Sequence, residues 1–177
     1  GVTDVLPEEK WWRELQAHYT ESHRAYHTLQ HLAECLAHFD RVRPLVEQPT
    51  AVELALWCHD VIYDTHRHDN EEASAQWAQQ LLQEVGASQE LCQQVTTLIR
   101  LTQHNAEPVD QDGAFLLDID LAILGASPER FAEYEQQVRQ EYAWVTWPAF
   151  CMGRATILRA FLHRPTIYRT NFFQTRL

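Results

Sequence analysis

The chain has 177 residues, 45% of them hydrophobic and 22% charged, with only 5 glycines, a balance that suits one soluble, mostly helical domain with a sizeable core. A formal net charge of −11 argues against a nucleic-acid backbone as the main partner, and no apolar run approaches the ~20 residues of a membrane span. No charged stretch leads into an apolar one at the N-terminus, and Cys35, Cys58, Cys92 and Cys151 are scattered without zinc-knuckle spacing, so reduced core thiols in the cytoplasm are the expectation.

In chain order, Pro7-Glu8-Glu9 reads as the start of a helix running through Trp11, Trp12, Leu15 and Tyr19, with acids in its first turn. A second helix is expected to begin at His23 and continue through His27, His31, Cys35 and Phe39. Thr50 with Glu53 suggests a capping box for the helix that carries His59. After a polar loop over 64–70, a helix from about Glu71 to Val85 stops at Gly86, and Ser88 caps the next, which ends near His104. Residues 108–113 read as loop. Phe115 to Leu124 is apolar except for Asp118 and Asp120 and ends at Gly125. Ser127-Pro128-Glu129 opens a long helix, and Trp147-Pro148 opens another that reaches Leu162. No strand alternation or internal repeat is visible. The expected fold is all-α: a core over about 24–125, with the helices of 127–177 packed on it.

The chemistry gathers around Trp57-Cys58-His59-Asp60-Val61-Ile62. A His beside an Asp inside an apolar run needs partners for two polar groups, and one divalent cation satisfies both. His23, His27 and His31, spaced i, i+4, i+8, would share a helix face; by spacing alone they read equally as surface histidines. Asp118 and Asp120 lie in an otherwise apolar segment, where a carboxylate needs a cation or an arginine. Two residues apart on a helix, they point about 200° from each other, so only one can face a shared site.

The order His, then His-Asp, then Asp, all on helices, resembles the HD superfamily of metal-dependent phosphohydrolases. That resemblance implies an HD-domain helical bundle in which His31, His59, Asp60 and one of Asp118 or Asp120 hold the metal. The run Tyr26-His27-Thr28-Leu29-Gln30-His31 is similar to the Tyr-His-Asn-x-x-His run of cyclic-nucleotide phosphodiesterases, which implies His27 as general acid and His31 as ligand. Asp120, before Leu121 and Ala122, resembles the Asp-Leu-Ser run of those enzymes and is the favoured ligand. Further marks, Arg24-x-Tyr26-His27, Asp69-Asn70-Glu71, Leu117-Asp118-x-Asp120-Leu121-x-x-Leu124-Gly125 and Arg139-x-Glu141-Tyr142, resemble a small bacterial group described as predicted HD phosphohydrolases, over nearly the whole chain. The phosphodiesterases carry a further His four residues after the Asp of the pair, where Asp64 stands here. One metal is therefore expected rather than two, although His66, His68 and His104 are present; His104, at a helix end, reads as facing the site or as interacting with the last carbonyls.

Two imidazoles and two carboxylates leave positions open on Mn²⁺, Fe²⁺ or Co²⁺, with Mg²⁺ or Zn²⁺ as alternatives. Asp60 would orient water, and Glu71, with Asp64, is a further carboxylate candidate. Arg24, one turn before His27, and Arg154 are the candidates for gripping phosphate, since guanidinium suits it. Residues 151–177 hold five arginines and no acid, which leaves residues 1–150 at about −16 by formal count. The expected activity is metal-dependent hydrolysis of a phosphate ester in a nucleotide or similar small phosphorylated metabolite. The rival is a non-catalytic module binding a metal and an anionic ligand. Trp11, Trp12, Phe172 and Phe173 are candidates for the core or for a homo-oligomer interface.

Overall fold

In a computed structural model, residues 7–104 and 106–177 are described, the side chains of Pro7 and Glu8 excepted. The fold is all-α, with no strand among the described residues. Its helices are α1 (Pro7–Tyr19), α2 (Leu29–Val42), α3 (Pro49–Cys58), α4 (Asn70–Glu84), α5 (Gln89–Leu101), α6 (Gln111–Asp120), α7 (Pro128–Glu141), α8 (Trp147–Leu162) and a short α9 (Asn171–Gln174). Tight 3₁₀ turns cover Arg43–Leu45 and Leu121–Gly125. No described helix is long and apolar enough to cross a membrane.

α3 is the hub, because its sequence is apolar on nearly every face and such a helix must be enclosed. Ala51, Val52, Ala55 and Leu56 are at most 1% exposed, and α3 packs against α2, α4, α5 and α6. Phe39 from α2, Ile99 from α5 and Leu116 from α6 complete this core. Truncating Leu56 to Ala there would cost about 2–5 kcal/mol. α1 covers one end through Leu15 and Tyr19, and Trp11 packs with Trp57. Phe173 is buried in the main core and Phe172 packs against it, whereas Trp12 is largely exposed.

Three helix starts differ from expectation, each because another group satisfies the backbone. The capping box at Thr50 and Glu53 does not form: α3 starts at Pro49, and the preceding amides of Glu47 and Gln48 donate to the Asp112 carboxylate at 2.8 and 2.7 Å. α6 begins at Gln111, inside the expected loop, because Asp110 accepts from the Gly113 amide as N-cap. α2 begins at Leu29, six residues later than read from the histidines, with Thr28 as its N-cap. Residues 23–28 instead form turns, so His23 and His27 do not share a helix face with His31. The caps at Ser88 and Ser127 and the stop at Gly86, whose φ is +76°, match the sequence.

The C-terminal segment closes over α6. Tyr168 is buried and its hydroxyl donates to the Leu121 carbonyl. A β-carbon on Gly125 would stand 2.7 Å from that hydroxyl and 2.6 Å from Leu177 Cβ, so no larger residue fits there without displacing the chain end.

Candidate metal centre

Three separate stretches deliver the central donors. His31 lies on the buried face of α2, His59 caps the C-terminal end of α3 with Asp60 in the turn after it, and Asp120 ends α6. The two imidazole Nε2 atoms are 3.2 Å apart. Asp60 Oδ2 lies 3.5 Å from His31 Nε2 and 3.1 Å from His59 Nε2. Asp120 Oδ1 lies 3.4 and 3.5 Å from the same nitrogens. Donors held ~2.1 Å from a divalent ion are ~3.0 Å apart at right angles and ~3.4 Å apart at the tetrahedral angle. The observed separations are therefore the edges of a coordination polyhedron.

The electrostatics agree with the spacing. Burial works against charge on His31 and His59, yet their surroundings, above all Cys35 and Tyr26 for His31 and Asp60 for His59, hold both pKa values well above the usual imidazole range. Burial likewise works against Asp60 and Asp120, but His59 beside the first and His104 beside the second keep both well below the usual carboxylate range. Two anions draw positive charge onto two nitrogens that face each other, and one divalent cation supplies the same charge without opposing N–H groups. His59 Nδ1 lies 2.8 Å from the Leu56 carbonyl. A carbonyl only accepts, so Nδ1 carries the proton and Nε2 presents its lone pair to the cluster.

His27 reaches the site on a turn. Glu141, at the end of α7, accepts the amides of Ala25, Tyr26 and His27 through Oε1 at 2.8–2.9 Å, and His27 Nδ1 through Oε2 at 2.8 Å. The Tyr63 hydroxyl donates to the same Oε2, and the Tyr63 ring stacks on His27 at 3.8 Å. Burial opposes ionisation of Glu141, but the His27 and amide hydrogen bonds pull its pKa down to about 2. With Nδ1–H committed to Glu141, Nε2 is the nitrogen left to exchange a proton.

Asp118 does not join the cluster. It is fully buried and turned to the C-terminal segment, where it accepts from the amides of Arg169 and Thr170 and the Thr170 hydroxyl at 2.7–2.8 Å. The choice left open by spacing thus falls to Asp120. Arg24 is also corrected. Its side chain is buried, and its guanidinium donates to Glu21 and to the carbonyls of His27, Asp60 and Val61 at 2.6–3.1 Å. It ties the His27 turn to the His59-Asp60 turn rather than offering donors to a phosphate.

A cavity of about 690 Å³ opens onto His27, Asp60 and Asp120. Glu71, in the first turn of α4, lines it. Among the described residues no ion pair joins Glu71 to the clustered histidines, so it stands on the wall rather than among the donors. Arg154 lines it too, but its guanidinium is paired with Glu135 through Nε and Nη2. The rest of its lining is largely apolar and aromatic, and includes Tyr134, Tyr142, Phe150, Ile157 and Phe161.

The sequence reading leaves two functional groups without an assigned role. Glu141 was visible only as part of a motif; the signal for its role, an acid on an inward helix position, needs the partner turn to be interpretable. His104 Nε2 lies 2.9 Å from Asp120 Oδ2, and His104 has a φ of +56°. Its Nδ1 is buried without a hydrogen-bond partner among the described residues. Its place at a helix end left two readings open, facing the site or interacting with the last carbonyls, and its contact is with Asp120 in the site. Compared with family models, curated proteins and solved structures, the chain matches none.

Proposed function

We propose that the protein is a metal-dependent phosphohydrolase of the HD type, acting on a small organic phosphate such as a nucleotide. The observation that carries this reading is the meeting of His31 Nε2, His59 Nε2, Asp60 Oδ2 and Asp120 Oδ1 within 3.1–3.5 Å contacts at the wall of a cavity that also presents His27. A divalent cation held there would supply Lewis acidity, lowering the pKa of water and neutralising phosphoryl charge.

The remaining steps belong to the chain. Asp60, 16% exposed at its side chain, orients the attacking water from the cavity side. His27, held in one tautomer by Glu141, delivers a proton from Nε2 to the leaving oxygen. Arg24 keeps those two stations at a fixed separation. Because Arg154 is already matched by Glu135, His27 together with a bound cation would hold the phosphate. The aromatic wall suits a base or another flat organic group. The dispersed free cysteines fit a reducing compartment, so the cytoplasm is the proposed setting.

The test is a metal-reconstituted hydrolysis screen over nucleotides and phosphomonoesters, run beside Asp60→Ala. Turnover by the parent and not by the variant is expected; equal rates would discard the assignment, and binding without turnover would leave the binding-module reading. His27→Ala should slow esters with poor leaving groups about 100-fold or more, and nitrophenyl phosphate far less. A uniform loss would make His27 a positioning residue.

A further inference from the structure

Cys35 lies one turn beyond His31 on α2, so the two side chains share a face. Its Sγ is 3.7 Å from His31 Nε2 and 3.8 Å from Nδ1. The donor atoms of His31, Cys35, His59 and Asp120 all lie within 4.8 Å of one another, and Cys35, His31 and His59 are at most 2% exposed. Cys58 is equally buried beside His59 but does not join the group, so burial near the site is not what brings Cys35 in. Sγ stands almost as far from Nδ1 as from Nε2, beside the ring rather than ahead of the Nε2 lone pair, so binding through sulfur requires the Cys35 side chain to turn to another staggered rotamer towards the shared ion. A second cavity of about 190 Å³ is lined by His31, Cys35 and Asp120, which gives an ion an approach to the sulfur side.

We propose that Cys35 is a metal ligand, so that the centre accepts a thiophilic divalent cation of the zinc class through His31, Cys35, His59 and Asp120. The proposal rests on the metal-centre reading and names the kind of ion it selects. Two overlapping donor sets share His31, His59 and Asp120. A hard ion such as manganese completes its set with the Asp60 oxygen, and a soft one with the Cys35 sulfur. When sulfur binds, the thiol proton passes to solvent and the S–H bond is replaced by a sulfur–metal bond, with no change of oxidation state. Asp60 is then freed from coordination and keeps its carboxylate for water.

Cobalt(II) titration of the intact protein tests this without any assay of turnover. The expected result is one equivalent of cobalt with a near-ultraviolet sulfur-to-metal charge-transfer band, absent in Cys35→Ser and retained in Asp60→Ala. Cys35→Ser should weaken zinc(II) about 100-fold or more, and manganese(II) less than about threefold. Stoichiometric cobalt without the band, or a band that survives in Cys35→Ser, overturns the role of Cys35 and leaves the metal centre standing. No cobalt binding at all overturns the metal centre itself. Where Cys35→Ser fails to fold, Cys35→Ala, which keeps an apolar side chain in the core, takes its place with the same loss of the band expected and the same survival overturning the role.

Discussion

Asp118 and Asp120 stand two residues apart on α6, yet their surroundings differ in kind. Asp118 is met by two amides and a hydroxyl, groups whose protons are permanent, so its hydrogen bonding is satisfied by the fold, although burial still holds its pKa above the usual carboxylate range. Asp120 is met by the imidazoles of His31, His59 and His104, groups that present either a proton or a lone pair. The first environment is complete as the chain folds. The second has a place for a cation. Buried carboxylates are therefore told apart by whether their neighbours can only donate, a criterion that burial alone does not supply.

Substitution separates the two carboxylates by what each variant loses. Asp120→Ala should abolish metal retention and lower ester hydrolysis about a thousandfold, equivalent to ~4 kcal/mol of transition-state stabilisation, while the protein remains folded. Metal analysis of the purified variant checks this. Asp118→Ala should do the reverse. Orphaning three buried donors costs about 3–5 kcal/mol, or roughly 10 °C in Tm, with metal content per folded molecule unchanged. Urea unfolding beside metal analysis separates the two.

Glu141 lies between these two cases, because it combines permanent amide donors with one imidazole. Its folded pKa of about 2 lies below the ordinary 4.5. The stability it contributes is complete above pH 4.5 and is lost as pH falls from there to about 2, amounting to ~3 kcal/mol at most. Glu141→Gln should flatten unfolding free energy over that window and leave the slope above pH 5 unchanged. An unaltered acid limb would refute the assignment. The smallest effect is expected from ligand removal: chelating a metal-loaded sample, at an ion concentration 100 times its Kd, should cost ~2.7 kcal/mol and lower Tm by about 5–10 °C. Asp120→Ala should show no such shift.

Much of this was legible in residue order. The apolar run around His59-Asp60 announced a buried polar pair in need of partners, and Ser88, Ser127 and Gly86 marked helix ends through local hydrogen bonding. The His23-His27-His31 periodicity misled because Glu141, more than a hundred residues away, captures three amides that a helix would otherwise use. Arg24 was read as a phosphate ligand for its charge, but two distant carbonyls, of Asp60 and Val61, and the nearby one of His27 claim it. Cys35 looked like any core thiol until α2 set it one turn from a clustered imidazole. For the histidine run and Arg24 the deciding partners came from another part of the chain, about which helical spacing carries no information, whereas Cys35 gains its meaning only once His31, on its own helix, is seen to cluster with His59 and Asp120.

His104 places backbone comfort and chemistry in opposition. A left-handed conformation costs a residue with a β-carbon ~1–2 kcal/mol relative to glycine, yet here it carries an imidazole against Asp120. A library of variants sorted for heat resistance alone would drift towards glycine or asparagine at this position. One sorted for holding an ion would keep histidine and accept the softer fold.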